Sequence, residues 1–112
     1  MKVTCERQDG VVWLYVSGRI NILNAAQFEE DLEDAIGDGD QAVILDLENL
    51  EYISSAGLYV VLKIAKIAWK RDMAFALCGL SDVVRLIFKR IGFDRIMAIH
   101  PTRGEALAAV KS

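Results

Sequence analysis

The stretch EYISSAGLYVVL, residues 51 to 62, leads from a tyrosine and an isoleucine through two serines and a glycine into a long apolar run. Small hydroxyl side chains are typical of helix starts, where they accept hydrogen bonds from unpaired backbone amides. The polar positions of the run that follows fall on one stripe, so we predict a mostly buried helix from Gly57, or slightly earlier, to about Lys70. The preceding AVILDL, residues 42 to 47, is a continuous apolar run and predicts a buried strand with Asp46 at its carboxyl end.

The two serines have different expected roles. Ser54 is predicted to cap the helix by accepting a hydrogen bond from a backbone amide two or three residues later. Ser55 then lies in the first helical turn, where its hydroxyl is not needed for capping and where Ala56 and Gly57 leave it accessible. The positive end of the helix dipole would stabilise a phosphate on that hydroxyl. The residues alone leave two interpretations open, a local structural serine or a modifiable one.

The rest of the chain alternates between strand and helix patterns. Asp9 and Gly10 form a hairpin signal between two β-rich segments. Capping and breaking residues predict three further helices: Asn24 and Gln27 form a capping box that opens an acidic helix, Ser81 or Asp82 begins a helix that Gly92 ends, and Thr102 with Glu105 opens the last helix. Two apolar segments between them, MAFALC at 73–78 and IMAI at 96–99, are predicted to be strands. This order predicts one α/β domain over residues 1–112, with a mixed sheet of about five strands and about four helices.

Composition excludes several classes of function. The net charge of −3 offers no general attraction for nucleic acid or for anionic lipid, so we expect neither nucleic-acid binding nor direct membrane binding. Lys63 and Lys66 interrupt the most apolar stretch before it could span a bilayer, and a cytoplasmic protein is expected. Cys5 and Cys78 stand apart from each other and from any histidine, so no metal site is predicted, and both are expected to be small buried side chains.

A catalytic role has little support. Asp46 and Ser55 could be imagined as a base and a nucleophile, but no third group that orients them is visible. The glycines are scattered singly and form no phosphate-binding loop. We therefore predict a protein without catalytic residues and without a cofactor.

A resemblance to a known family rests on LDLENLEYISSAGLYVVLKIAK at residues 45–66. This segment resembles the central motif of bacterial anti-sigma factor antagonists, the STAS domain family, in which an apolar strand ending in Asp leads into a serine-rich turn and a helix. Three flanking segments are similar to other parts of the family in the same order: VSGRINILNAAQFEEDLEDAI at 16–36, FALCGLSDVVRLIFKRIGFDRI at 75–96 and TRGEAL at 102–107.

The resemblance implies a regulatory protein that works by switching partners. In the family, an anti-sigma factor that is a serine kinase phosphorylates a serine of this turn, and a metal-dependent serine phosphatase reverses the modification. The unphosphorylated form binds the anti-sigma factor and the phosphorylated form does not. Alignment on the glycine and leucine of the motif places the phosphorylated serine at Ser55, with Asp46 as a supporting acidic residue.

The expected partner surface combines the loop before the first helix, the serine turn and one stripe of the long helix. It comprises Asn21, Leu23, Asn24, Ser54, Ser55, Ala56, Gly57, Tyr59, Lys63 and Lys66. An alternative from another class stays open: a STAS subunit that serves a lipid transporter or another assembly as an adaptor, in which the serine turn is only a helix cap.

Overall fold

The computed structural model describes residues 1–112 and contains five strands and four α-helices. In chain order they are β1 (Lys2–Gln8), β2 (Val11–Ile20), α1 (Ala25–Ala35), β3 (Ala42–Ile53), α2 (Ser55–Lys70), β4 (Ala74–Cys78), α3 (Asp82–Arg90), β5 (Ala98–His100) and α4 (Arg103–Lys111). A single 3₁₀ turn, Phe93–Arg95, lies between α3 and β5. None of the helices combines the length and the apolar character that a membrane span requires.

The strands form one mixed sheet in the order β1-β2-β3-β4-β5. β1 and β2 pair antiparallel through a tight turn in which Asp9 and Gly10 both have positive φ, as the sequence predicted. The remaining neighbours pair parallel, because a helix returns the chain to the same end of the sheet each time. The α/β class, the mixed sheet and the four helices are confirmed.

The helices divide between the two faces of the sheet. α1, α2 and α3 pack on one face around a core of 25 buried residues that includes Phe28, Ile64 and Phe88. α4 covers part of the other face through Ala106, over a smaller cluster that contains Trp13 and Ile44. The face with three helices carries both the start of α1 and the start of α2, and these starts form the candidate site described below.

Some predicted boundaries differ from the structure. β3 does not end near Asp46 but runs on to Ile53, because β2 continues beside it and pairs with it up to Ile20. α2 begins at Ser55, slightly before Gly57, as the prediction allowed. The last strand is shifted by about two residues, to 98–100, because residues 93–95 form a 3₁₀ turn whose amide bonds extend to Met97.

Two side-chain predictions were wrong. Asn24 occupies the cap position of α1 but makes no capping bond, and Gln27 donates to Asp31 rather than back to the helix start. Cys5 is exposed, because β1 is an edge strand, whereas Cys78 is buried as expected. The predicted caps Ser81 and Thr102 are confirmed, since their hydroxyls accept from the amides of Val84 and Glu105.

Candidate functional site

The serine turn and the loop before α1 meet at the carboxyl ends of β2 and β3. β2 and β3 are parallel neighbours, and their last residues, Ile20 and Ile53, lie side by side in the ladder. The Ser54 amide donates to the Ile20 carbonyl at 2.9 Å, so the ends of the two strands are tied together. The loop 21–24 and the first turn of α2 therefore share one surface, although they are about 30 residues apart in sequence.

Ser54 and Ser55 have different roles at the start of α2. The Ser54 hydroxyl accepts a hydrogen bond from the Gly57 amide at 3.3 Å, which confirms the predicted cap. Ser55 is the first helical residue and is exposed, while Ala56 beside it is half-buried. The first turn of α2 contains no acidic side chain. A negative group on Ser55 would thus face the positive end of a 16-residue helix without a like charge in that turn.

Gly57 is buried, so its place in the expected partner surface is indirect. A Cβ atom at this position would lie 2.6 Å from Cγ2 of Ile20 and 2.7 Å from Cγ1 of Ile53. Real Cβ atoms do not approach other atoms so closely, and the two isoleucines are themselves fully buried. Gly57 therefore allows the first turn of α2 to rest directly on the ends of β2 and β3, and this packing positions Ser55.

The loop 21–24 is held by its two asparagines. The Asn21 side-chain oxygen accepts from the amides of Leu23 and Asn24, and the Asn24 side-chain oxygen accepts from the Asn21 amide at 2.8 Å. The Asn24 side-chain amide also donates to the Arg19 carbonyl. We call this pair of asparagines, Asn21 and Asn24, the asparagine clasp. Both side chains were predicted as partner contacts, but their polar groups form hydrogen bonds within the loop, and the residues between them project outward.

The projecting residues are apolar. Ile22 is 80% exposed and Leu23 is 90% exposed, the two largest exposed fractions among the large hydrophobic residues. Leu23 was predicted as a contact, but Ile22 was not. The signal that could have found Ile22 is the pattern NILN itself, because two asparagines at this spacing can bond across the loop and turn the residues between them outward.

The exposed stripe of α2 continues from Ser55 along the helix. Tyr59 is 67% exposed and stands one turn after Ser55, and Lys63 and Lys66 follow on the same side. Lys63 makes an ion pair with Glu29 of α1 at 2.7 Å, and the hydrogen bond and charge of Glu29 raise the pKa of the Lys63 ammonium. Lys66 has no ion pair. Of the two lysines, Lys66 is therefore the cation that is free to meet a partner.

Asp46 does not belong to this surface. It is buried on the face covered by α4, where its carboxylate accepts from Arg103 and from the Glu48 amide. The Arg103 guanidinium also lies 5.1 Å from the centre of the Tyr15 ring. Ile53 lies seven positions beyond Asp46 along the extended strand, roughly 23 Å at the usual rise per residue. The prediction that Asp46 supports Ser55 from nearby was wrong, and the two cannot act as a base and a nucleophile.

No group of three or more His, Cys, Asp or Glu residues is placed to hold a metal ion. Arg19, at the end of β2, stacks on the Tyr52 ring of β3 at 4.8 Å and was missed by the sequence analysis. What the arrangement offers chemically is an exposed hydroxyl, an apolar loop tip and a free cation on one rigid surface.

Comparisons with known proteins agree with this fold. The STAS domain family model matches residues 2–106. The chain is 39% identical to BtrV of Bordetella bronchiseptica, named as an anti-sigma factor antagonist, in an alignment that covers 100% of this chain and 97% of BtrV. It is 27% identical to RsfB of Mycobacterium tuberculosis, an anti-sigma-F factor antagonist, over 97% of this chain and 88% of RsfB.

A solved structure is similar over nearly the whole chain. The crystal structure of an anti-sigma factor antagonist from Mycobacterium paratuberculosis superposes with a TM-score of 0.91 at 26% identity, covering 99% of this chain and 94% of that one. The order of strands and helices that places the serine turn beside the loop 21–24 is thus shared with a protein of that name.

Proposed function

Because the chain belongs to the STAS domain family, we propose that it is an anti-sigma factor antagonist whose binding is switched by phosphorylation of Ser55. The observation that carries this proposal is the exposed Ser55 in the first turn of α2, flanked by the projecting Ile22 and Leu23. Its hydroxyl is not used for capping, because Ser54 caps the helix. Its partners are an anti-sigma factor that is a serine kinase, and a serine phosphatase that removes the phosphate.

The unphosphorylated form binds through an apolar and cationic surface. Ile22, Leu23 and Tyr59 supply exposed apolar and aromatic area, which is the usual source of affinity at the centre of an interface. Since the asparagine clasp already fixes the loop, little conformational entropy is lost when a partner covers it. Lys66 adds a charge that favours an acidic rim on the partner.

Phosphorylation changes the interface and leaves the fold intact. A phosphate on Ser55 adds nearly two negative charges at an exposed helix start, where the backbone amides and the helix dipole stabilise it. Within a docked complex the phosphate must lose its hydrating water, and it faces atoms of the partner that are complementary to an uncharged serine hydroxyl. A cost of about 3 kcal/mol would weaken binding by roughly a hundredfold, which is enough for a switch.

No catalytic step is assigned to the chain itself. The serine is the substrate of another protein. Asn21, Asn24 and Ser54 hold the loop and the helix in place, and Lys66 meets the partner. We place this activity in the cytoplasm, where bacterial sigma factors and their regulators meet RNA polymerase.

The phosphorylation experiment combines the protein with a cognate cytoplasmic serine kinase of the anti-sigma factor class and ATP, followed by mass spectrometry of the intact and digested protein. We expect one phosphate at Ser55, lost in Ser55→Ala and retained in Ser54→Ala, because only the cap and not the acceptor is removed in the second variant. A phosphate found only on Ser54, or none on any residue, would reject the assignment.

The binding experiment separates a switch from an adaptor. Ser55→Ala should bind the anti-sigma factor like the unmodified protein, whereas Ser55→Asp should bind at least about tenfold more weakly in calorimetry. Both variants should melt at the same temperature as the parent protein, since the side chain is exposed. Equal binding by all three proteins would favour the adaptor, in which the serine turn only starts a helix.

A further inference from the structure

A second exposed apolar surface lies away from the serine turn. It occupies α3 and the 3₁₀ turn that follows, and we call it the α3 surface. Its apolar members are Val83, Leu86, Ile91 and Ile96, which are 61%, 47%, 47% and 52% exposed, and its cations are Arg85, Lys89, Arg90 and Arg95. Single exposed hydrophobic side chains are normal on a soluble protein, but four large ones within residues 83–96 favour a site of interaction. None of these residues belongs to the surface around Ser55.

The α3 surface is rigid and preformed. Val84 and Phe88 are buried in the core and fix one side of α3. Phe88 meets Phe93 of the 3₁₀ turn edge to face, with ring centres 5.9 Å apart. Gly92, with φ of 80°, makes the sharp reversal between the two segments. The exposed apolar side chains are therefore displayed by elements that need not rearrange when a partner binds.

A groove runs along this surface. It has a volume of about 560 Å³ and is lined by Asp82, Arg85, Leu86, Lys89, Asp94 and Ile99. Leu86 of α3 and Ile99 of β5 supply its apolar lining, and the other four lining residues are charged. α3 is nine residues long, about 13 Å, which matches two to three turns of a partner helix.

Four cations against two acidic residues, Asp82 and Asp94, leave the α3 surface net positive, opposite in sign to the whole chain. Lys89, Arg90 and Arg95 form no ion pair, and only Arg85 is neutralised, by Asp82 at 3.0 Å. The chain as a whole carries a net charge of −3. We propose that the α3 surface binds a partner protein through an acidic amphipathic helix, whose apolar side chains enter the groove while its carboxylates meet the unpaired cations.

Other occupants fit the α3 surface less well. An anionic membrane would meet the same cations, but a flat bilayer does not fill a groove. A second copy of this chain could offer the acidic outer face of α1, with Glu30, Glu33 and Asp34, but that face presents no large apolar side chain. A helix with both acidic and apolar character satisfies the cations and the groove together.

The test titrates a helical peptide of about 18 residues, built from leucine on one face and glutamate elsewhere, into isotope-labelled protein. We expect amide NMR shifts confined to α3, the 3₁₀ turn and β5. The same peptide with lysine in place of glutamate should bind at least about fivefold more weakly, since it repels the cations. The proposal is overturned if the two peptides bind alike, if neither binds, or if the shifts map to another surface.

Matched variants identify the groups responsible. Leu86→Ser should weaken binding of the glutamate peptide about tenfold, and Arg90→Glu about fivefold, the latter difference shrinking at high salt. Lys2→Glu makes the same charge change at an exposed lysine of β1 and should have no effect, as should Ser55→Asp. A uniform loss in all four variants would contradict a local site.

Two further measurements decide between occupants. Vesicles of phosphatidylglycerol should not sediment the protein, and binding to them that Arg90→Glu abolishes would replace the proposal with a membrane surface. Sedimentation velocity should show no self-association that depends on Leu86. A dimer lost in Leu86→Ser would assign the α3 surface to a second copy of the chain and overturn the proposal.

Discussion

Gly57 and Ile20 lie so close that a single methyl group cannot be placed between them, since a Cβ on residue 57 would be 2.6 Å from Cγ2 of Ile20. Gly57→Ala gains about 1 kcal/mol of helix propensity but forces two fully buried isoleucines apart, and overpacking of this kind costs about 1–3 kcal/mol. We therefore expect a net loss of stability in urea unfolding, together with weaker binding of the anti-sigma factor, because the start of α2 moves.

Gly39 provides the control for this substitution. It is exposed, and nothing lies within 4 Å of a Cβ built on it. Gly39→Ala should change the free energy of unfolding by less than about 0.5 kcal/mol. If Gly57→Ala were as stable as Gly39→Ala, the close packing of α2 on the strand ends would not be what positions the serine turn.

The two adjacent serines should separate stability from switching. Ser54→Ala removes the cap on the Gly57 amide and should lower the free energy of unfolding by about 0.5–2 kcal/mol. Ser55→Ala removes an exposed hydroxyl that caps nothing, so its unfolding curve should overlay that of the parent protein. Urea denaturation of the two variants measures the difference. A larger loss in Ser55→Ala than in Ser54→Ala would show that the roles are reversed.

Local sequence signals predicted the elements whose boundaries depend on local chemistry. Asp9 and Gly10 adopt the positive φ values that a tight hairpin demands, and Ser54, Ser81 and Thr102 each cap the helix that follows. Ser55 was predicted in the first turn of α2 and lies there. These features depend on residues within four positions of one another, and a single sequence contains all of that information.

Features that depend on distant residues could not be predicted in the same way. β3 extends to Ile53 because β2 pairs with it, and Asp46, on the opposite face of the sheet, is bound by Arg103, 57 positions later in the chain. Asn24 was predicted as a cap, but its side chain bonds to Asn21 and Arg19, a competing use of the same polar groups. Cys5 is exposed because no strand or helix covers it at the edge of the sheet.

The two cysteines should differ sharply in reactivity. Burial, aided by the charge of Asp46, raises the pKa of the Cys78 thiol to about 12, so almost no thiolate forms at neutral pH. Cys5 is exposed on β1. At about pH 8 a thiol reagent should modify one cysteine per folded chain and both in denaturant, and the folded Cys5→Ser variant should not react. Rapid labelling of Cys78 in the folded protein would mean that α4 leaves the sheet readily.

Because of the ion pair of Arg7 and Asp40, the free energy of unfolding should fall at acidic pH. Arg7 of β1 donates from Nε and Nη2 to the two carboxylate oxygens of Asp40, both at 2.9 Å, and its Nη2 also donates to the Ala35 carbonyl at the end of α1. Burial raises the pKa of the Asp40 carboxyl, but the hydrogen bonds from Arg7 and the Gly37 amide and the Arg7 charge outweigh burial, so the pKa lies below its ordinary value of 3.8.

The sign of the pH effect follows from this lowered pKa. The contribution of Asp40 to stability is fully present above the unfolded-state pKa near 3.8, and it is lost as the pH falls through the lower pKa of the folded state. Between neutral pH and about pH 3, the free energy of unfolding should therefore fall more steeply in the parent protein than in Asp40→Asn. Glu30→Gln, which alters an exposed carboxylate of α1, should leave the slope of the parent protein unchanged. Parallel curves for the parent protein and Asp40→Asn would mean that the bridge between β1 and the end of α1 contributes no acid-sensitive stability.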